Sequence, residues 1–529
     1  MSTDVVTRPT VSALPTTIKP ARRILLAAVF VCAACGLVYE LVLVALGSYL
    51  TGSSVVQTSL VLGCAMAAMG IGALAVKPAL GRPVEAFATV ELGLGLVGAL
   101  SVPALYVAFA WLNLYTPAML VAATVIGALI GAEIPLLMEL VQRVRSQQAS
   151  GAVADLSAAD YGGALLGGLA FPFLLLPVFG LLRGALVVGT VNVVAAWVVA
   201  GWLFGRQMPR VRRRLITGAS AAVLAVLVAA AVSAAPFEVT ARQRLYRFPI
   251  VHAERSPYQE IVLTSVRWGA GLEPDVRLYL NGDLQLSTID EHRYHEALVH
   301  PAMAGPREHV LVLGGGDGMA LREVLGYDDV RQVTLVDLDP AVVELASSDP
   351  RLVEHNEGAF DDPRVGVVAA DAFSWVRANR QPAFDVVLVD LPDPDSTETA
   401  KLYSVEFYGM IAGLLRDGGR VAVQAGSPFF APSSFWSVVT SVRTAGLVAL
   451  PYHVDVPSFG DWGFVLAGWG PAARAPQVPA DAGDLEFLTP AVLDAATVFP
   501  PDRIPERVQP STLLDPIILE YQRQEWVGY

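Results

Sequence analysis

Charge is scarce in this chain. Only 16% of its 529 residues are Asp, Glu, Lys or Arg, against 54% hydrophobic, and the mean hydropathy is +0.52. That balance excludes an ordinary water-soluble protein and calls for a portion in lipid. Positive charge is the scarcer sign: 36 Lys and Arg against 49 Asp and Glu leave a net charge of −13, which argues against nucleic acid as a partner. Cysteine is nearly absent, with Cys32, Cys35 and Cys64 all in apolar stretches. Cys32 and Cys35 have C-x-x-C spacing, but thiolates are costly in hydrocarbon, so the three read as helix-packing residues and no metal is assigned. Histidine is missing from the first 251 residues, and all seven lie at or beyond His252. The chain therefore splits into an apolar part and a part equipped for chemistry.

Residues 1–23 begin Thr- and Pro-rich without periodicity and read as a disordered tail. The apolar run after them is too long to be a cleaved signal, and others succeed it. Residues 24–235 hold seven candidate spans, roughly 24–47, 54–76, 88–111, 118–141, 161–181, 184–205 and 215–235. Small residues at close helix-packing intervals are common there. Pro103 and Pro172 predict kinks. Lys19, Arg22 and Arg23 precede the first span; Lys77, Arg82, Arg143, Arg145 and the run from Arg206 to Arg214 come after the second, fourth and sixth. This bias places the N-terminus inside, and seven spans would then put the chain beyond Ala235 outside. Glu40, Glu91, Glu133 and Glu139 lie near membrane depth, with Asp160 at the mouth of the fifth span. They read first as structural pairs and second as a cation-handling path.

From Pro236 the charge rises and a soluble region begins. Residues 236–300 predict a small antiparallel β domain, with a hairpin at Asn281-Gly282, and a linking helix with acids at its start. Residues 301–470 alternate strands and helices, as a doubly wound, mainly parallel α/β sheet requires. Residues 471–529 are Pro-rich with short helical pieces, and are expected to pack on that domain.

The segment His309–Leu345 organises the α/β part. A buried strand runs into the loop Gly314-Gly315-Gly316-Asp317-Gly318, then a helix, then a second strand ending in Asp337. This β-α-β unit puts its loop where open sheets bind ligands, and Asp337 is placed to take ribose hydroxyls. A carboxylate inside a glycine loop repels phosphate, so Asp317 points to a cationic nucleoside such as S-adenosylmethionine or a relative. Asp371, Asp390 and Asp393 end further strands. Five strand-end acids facing one crevice make a holder for cations, a sulfonium nucleoside and a polyamine among them.

Residues 250–470 resemble the spermidine synthases, or polyamine aminopropyltransferases. The match is carried by Tyr258-Gln259, LNGDLQL, DEHRYHEALVHPAM, VLGGGDGMALREVL, VTLVDLDPAVVELA, DAFSWV, FDVVLVDLPDP, FYGMI, VAVQAGSP and VPSFGDWGF. The apolar half resembles the multi-pass bacterial branch of that family. The resemblance implies a Rossmann-like, methyltransferase-type catalytic domain. It implies transfer of an aminopropyl group from the co-substrate decarboxylated S-adenosylmethionine to putrescine, without a cofactor or metal, giving spermidine and methylthioadenosine. Asp317 would hold the terminal ammonium of the donor in the loop of Gly314 and Gly316, Asp337 the ribose, and Asp371 with Ala372 the adenine edge. Gln259 and His295 would line the nucleoside site. Asp390 would be the catalytic proton acceptor, and Tyr294, Asp393 and Gln424 would hold the diamine. Homo-oligomers are the rule among such relatives.

Two departures bear on the amine. Leu391-Pro392 stands where the family has two serines between its acids. In the late loop, Phe459 lacks the usual phenolic hydroxyl and Asp461 adds a charge. Alternatives are an aminopropyltransferase for another amine, a polyamine transporter or sensor with an altered synthase-like domain, and a methyltransferase on the same fold, against which Asp317 and the DLPDP acids argue. The bilayer is the expected partner. Cosubstrate supply favours a cytoplasmic catalytic domain, against the charge bias.

Overall fold

Glycine decides how closely the N-terminal helices approach. In the computed structural model, which describes residues 18–51, 55–144, 149–269, 273–470 and 475–525, the chain divides into two compact units, Met1–Leu245 and Tyr246–Tyr529. The first is built of α1 (Ile18–Thr51), α2 (Val55–Ala75), α3 (Pro83–Val107), α4 (Tyr115–Val144), α5 (Ala149–Ala170), α6 (Leu176–Ala196) and α7 (Arg210–Leu245). A Cβ on Gly131 would lie 2.0 Å from the Met69 carbonyl oxygen, and one on Gly163 2.0 Å from that of Phe30. Only glycine lets these backbones touch, and such close backbone contact is how helices associate in lipid, where the hydrophobic effect does not drive them together.

Among the described residues, six stretches are long and apolar enough to cross a membrane: Pro20–Leu50, Val56–Ala75, Pro83–Leu112, Tyr115–Arg143, Val153–Leu203 and Arg210–Leu245. The fifth contains both spans expected at 161–181 and 184–205. It breaks at Gly180 (φ 69°, ψ −176°), and a Cβ on Gly184 would lie 3.8 Å from the Leu175 carbonyl oxygen, so the chain turns back on itself there. Pro172 sits in a π-helical turn, Phe171–Leu175, while Pro103 lies inside α3, which passes into another such turn at Ala108–Leu112. Two boundaries differ from expectation. Residues 18–23 are the start of α1 rather than tail; residues 1–17, like Arg145, lie outside the described residues. At the other end α7 runs past Ala235 to Leu245, because its apolar and basic residues continue a helical pattern through Pro236.

In the second unit, β1 (Ile250–Arg255), β2 (Glu260–Val266), β3 (Asp275–Leu280) and β4 (Asp283–Ser287) form an antiparallel sheet in that order. Asn281 (φ 52°) and Gly282 (φ 98°) close the last hairpin, with both turn residues at positive φ. After α8 (Glu291–Met303) come β5 (His309–Gly314), α9 (Met319–Leu325), β6 (Gln332–Asp337), α10 (Pro340–Ser348), α11 (Pro350–Asn356), β7 (Val365–Ala369), α12 (Ala372–Ala378), β8 (Phe384–Asp390), α13 (Thr397–Ala400), α14 (Val405–Ala412), β9 (Leu415–Gln424), α15 (Pro432–Thr444), β10 (Val448–Val456), β11 (Gly460–Gly468), α16 (Pro490–Ala496) and α17 (Ile518–Glu525). The larger sheet has the order β10-β11-β9-β8-β5-β6-β7; β9 to β7 are parallel, whereas β10 and β11 run antiparallel. The sequence pattern passes over β10, whose Pro451 weakens the strand signal; proline is tolerated because β10 is the edge.

The central strands are buried on both sides. Leu311, Leu313, Val387 and Val389 face one core with α12, α14 and α15; Val310, Val312, Val386 and Leu388 face the other with α8 and α9. Chain order reverses between β5 and β8, which opens a crevice at their carboxyl ends. The C-terminal stretch is tied to this framework. Glu296 accepts hydrogen bonds from the backbone N–H groups of Glu486, Phe487 and Leu488, while Glu525 caps α15 through Ser433 and Ser434.

Candidate active site

The glycine loop is shaped by what it must pass. Gly314 (φ 83°) pairs in register with Asp390, and a Cβ there would lie 1.9 Å from the Asp390 carbonyl oxygen. Gly318 (φ 84°) begins α9 against the Phe360 ring, 2.6 Å from where a Cβ would sit. Gly315 N–H donates to the Asp390 carbonyl at 3.2 Å. The loop of β5 and the acid at the end of β8 are thus fixed to each other through backbone.

Around them opens a cavity of about 350 Å³. Asp317, Asp337, Asp371, Asp390 and Asp393 all line it, as do Gln259, Tyr294, His295, Gly314, Gly316, Ala372 and Gln424. The twelve site residues named from the sequence therefore come together in one place. Asp461 does not join them. It is paired with His453 and Arg503 beside a different hollow, so it adds no charge to the main cavity. Phe459 and Trp462 line the main cavity instead, and give that end an aromatic wall.

Each acid is held by at least one hydrogen bond. Asp317 Oδ1 accepts from the Met319 N–H at 2.9 Å, and Asp337 Oδ1 from the Asp339 N–H at 2.9 Å. Asp371 caps α12 through Ser374 N–H at 2.9 Å, and its Oδ2 lies 3.0 Å from Lys401 Nζ. The Tyr294 hydroxyl donates to Asp390 Oδ1 at 2.6 Å. Gln424 Nε2 donates to Asp393 Oδ1 at 3.3 Å and to the Tyr403 hydroxyl at 2.6 Å, and Tyr403 in turn donates to the Leu391 and Pro392 carbonyls. Gln259 is held to Asp339 Oδ2 at 3.0 Å.

Burial raises the pKa of Asp317 and Asp390, with His295 opposing the rise at both. Burial likewise lifts Asp337 to about 6 and, against the Gln424 hydrogen bond, Asp393 to about 7. Burial opposes ionisation of Asp371 too, but the Ser374 and Lys401 contacts prevail and lower it. Such acids regain favourable ionisation when a cation enters.

One cation is built in. His295 Nδ1 lies 2.8 Å from Glu291 Oε2, and Glu291 also takes Arg322 at 2.8 and 3.1 Å. Burial would lower the imidazole, yet the Glu291 carboxylate lifts it to about 9, while Glu291, resisted by burial, falls to about 2 through His295 and Arg322. His295 is therefore an imidazolium within a rigid chain, more than a lining residue. The i, i+4 spacing of Glu291 and His295 on α8 was the available signal for it. Sequence reasoning also missed Leu278, Leu280 and Leu284 of the small sheet and Lys401 after α13, which reach the cavity only through tertiary packing.

The model for the spermine/spermidine synthase domain matches residues 291–477. Among curated proteins the chain is similar to polyamine aminopropyltransferase 1 of Streptomyces coelicolor, 57% identical over 96% of both chains. It is also similar to the polyamine aminopropyltransferase of Mycobacterium tuberculosis H37Rv, 49% identical over 96% of this chain and 97% of the relative. A crystal structure of a spermidine synthase in complex with the transition state analogue AdoDATO aligns at 27% identity and a TM-score of 0.43, over 47% of this chain and 85% of its own.

Proposed function

Because the chain belongs to the polyamine aminopropyltransferase family, we propose that it transfers the aminopropyl group of decarboxylated S-adenosylmethionine to putrescine, yielding spermidine and methylthioadenosine. The observation that carries this reading is the set of five carboxylates around one cavity, one of which, Asp390, accepts a hydrogen bond from the Tyr294 hydroxyl. The loop half, with Asp317, Asp337 and Asp371, suits a cationic nucleoside. The other half, with Asp393, Gln424, Phe459 and Trp462, suits the ammonium and methylene chain of a diamine.

An ammonium cannot attack, so one amine first loses a proton to Asp390. The amine lone pair then forms a bond to the methylene carbon beside sulfur. The carbon–sulfur bond breaks and its electron pair neutralises the sulfonium; the new secondary amine stays an ammonium, and the proton held by Asp390 passes to solvent. The His295 imidazolium favours the ionised form of Asp390 and so keeps a buried base available. Asp317 disfavours ordinary S-adenosylmethionine, whose carboxylate would meet it.

The test is methylthioadenosine release by the purified full chain. Turnover is expected with decarboxylated and not with ordinary S-adenosylmethionine, and Asp390→Asn is expected to cut kcat by about 10²–10⁴-fold. Activity with the ordinary donor, or an unimpaired Asp390→Asn, refutes the proposal. The apolar stretches support a second part of the reading: that the helical unit spans a bilayer, with the catalytic unit on the cytoplasmic side where nucleoside donors are made. A reporter fused to the C-terminus that is active only outside the cytoplasm would overturn that placement.

A further inference from the structure

The helical unit carries a cluster that the aminopropyl reaction does not use. The Cys32 thiol of α1, a Glu91 carboxylate oxygen of α3 and a Glu133 carboxylate oxygen of α4 all lie within 4.8 Å of one another. All three side chains are buried, Glu91 completely. Both Glu91 oxygens and Glu133 Oε1 lack a hydrogen-bond donor from outside the cluster, and neither glutamate has an ion pair among the described residues. Three other acids of the unit are paired, Glu139 with Arg143, Glu85 with Arg212 and Asp155 with Arg22, whereas Glu40 Oε1 is also unpartnered but stands apart from this cluster. Nor is the polarity confined to the acids. Asn192 of α6 is fully buried with both amide atoms unpartnered, and it packs on Gly95, one helical turn from Glu91; the Tyr39 hydroxyl, two turns along α1 from Cys32, is also unpartnered.

Two adjacent carboxylates cannot both stay charged in an apolar interior without a cation, and a single unpaired buried charge already costs several kcal/mol. A thiol beside two carboxylates is the donor set of a borderline divalent metal, not of magnesium or calcium, which take oxygen alone. We propose that Cys32, Glu91 and Glu133 bind one divalent transition-metal cation of the Zn²⁺ type, joining α1, α3 and α4. The sequence spacing of Cys32 and Cys35 suggests a pair, but the partners of Cys32 come from two other helices. Three protein donors leave room for a fourth, for which water is the simplest candidate.

The experiment uses the full chain in detergent, stripped with a chelator, then loaded with Zn²⁺ or with Co²⁺ as the optical probe. About one Zn²⁺ per chain should survive desalting, the melting temperature should rise with Zn²⁺, and the Co²⁺ form should show a thiolate-to-metal charge-transfer band. Cys32→Ser should abolish the band, and Glu91→Gln and Glu133→Gln should weaken Zn²⁺ binding by about tenfold or more. Cys35→Ser and Cys64→Ser should leave all three signals unchanged. The wild-type readings stand even if a variant fails to fold. A wild-type chain that retains no Zn²⁺ and shows no cobalt band overturns the proposal, as does a Cys32→Ser protein that keeps both. Methylthioadenosine release is a separate readout, so the metal site and the transfer reaction can fail independently.

Discussion

Asp393 carries an internal conflict between stability and function. Its carboxyl is raised from 3.8 to about 7 by burial. The folded state therefore binds its proton more tightly than the unfolded state does, and stability is lost as pH rises from 3.8 through about 7. Asp393→Asn removes that loss. We expect the variant to melt about 2–4 °C higher at neutral pH while its KM for the diamine rises, a split that thermal melts and steady-state kinetics would show together. The Glu291–His295 pair runs the other way. His295, raised from 6.5 to about 9, contributes stability that is complete below 6.5 and disappears as pH rises through about 9. Glu291, lowered from 4.5 to about 2, contributes above 4.5 and loses it as pH falls through about 2. Denaturation midpoints of wild type and His295→Gln should therefore differ most between about pH 4.5 and 6.5 and converge toward pH 9 and above. Midpoints that stay apart at alkaline pH would show that His295 is not held as an imidazolium.

At the scale of elements, the loop between β5 and α9 stores the demand for glycine. Gly318→Ala places a side chain at φ 84° against Phe360 and should cost about 1–3 kcal/mol, read as a lower denaturation midpoint together with weaker donor binding. This loop was legible in the sequence because strand, turn and helix succeed one another without interruption. The strand-end acids were legible for the same reason: a continuous apolar strand such as Val386–Val389 announces where its carboxyl end lies. Lys401, Leu278 and Leu284 were not, since nothing local in the chain says that the small sheet and the segment after α13 come to the same cavity. The turn at Gly180 was foreshadowed by hydropathy, which separates spans on its two sides, although helix continues on both. Asp461 misled because its neighbours in sequence face the cavity while strand alternation turns it toward His453 and Arg503.

For the molecule as a whole, the net charge of −13 and the carboxylate-lined cavity act in the same direction on cationic substrates. Raising salt from about 0.01 to 1 M shortens the screening length from about 30 to 3 Å, so kcat/KM for a diamine should fall by about tenfold while kcat changes little. A salt-independent kcat/KM would confine the attraction to contacts inside the cavity.

The acids lie on both halves of a single undivided cavity, and this sets how the site empties. In the proposed reaction each half would hold its own cation before transfer. Afterwards the nucleoside fragment would be neutral, and every positive charge would reside on the lengthened polyamine, with acids at both halves to hold it. The thioether would then be the loosely held product and the polyamine the tenacious one. Departure of the polyamine, rather than carbon–nitrogen bond formation, would pace the enzyme when polyamine is abundant, so that the end product throttles its own synthesis at the site where it is made.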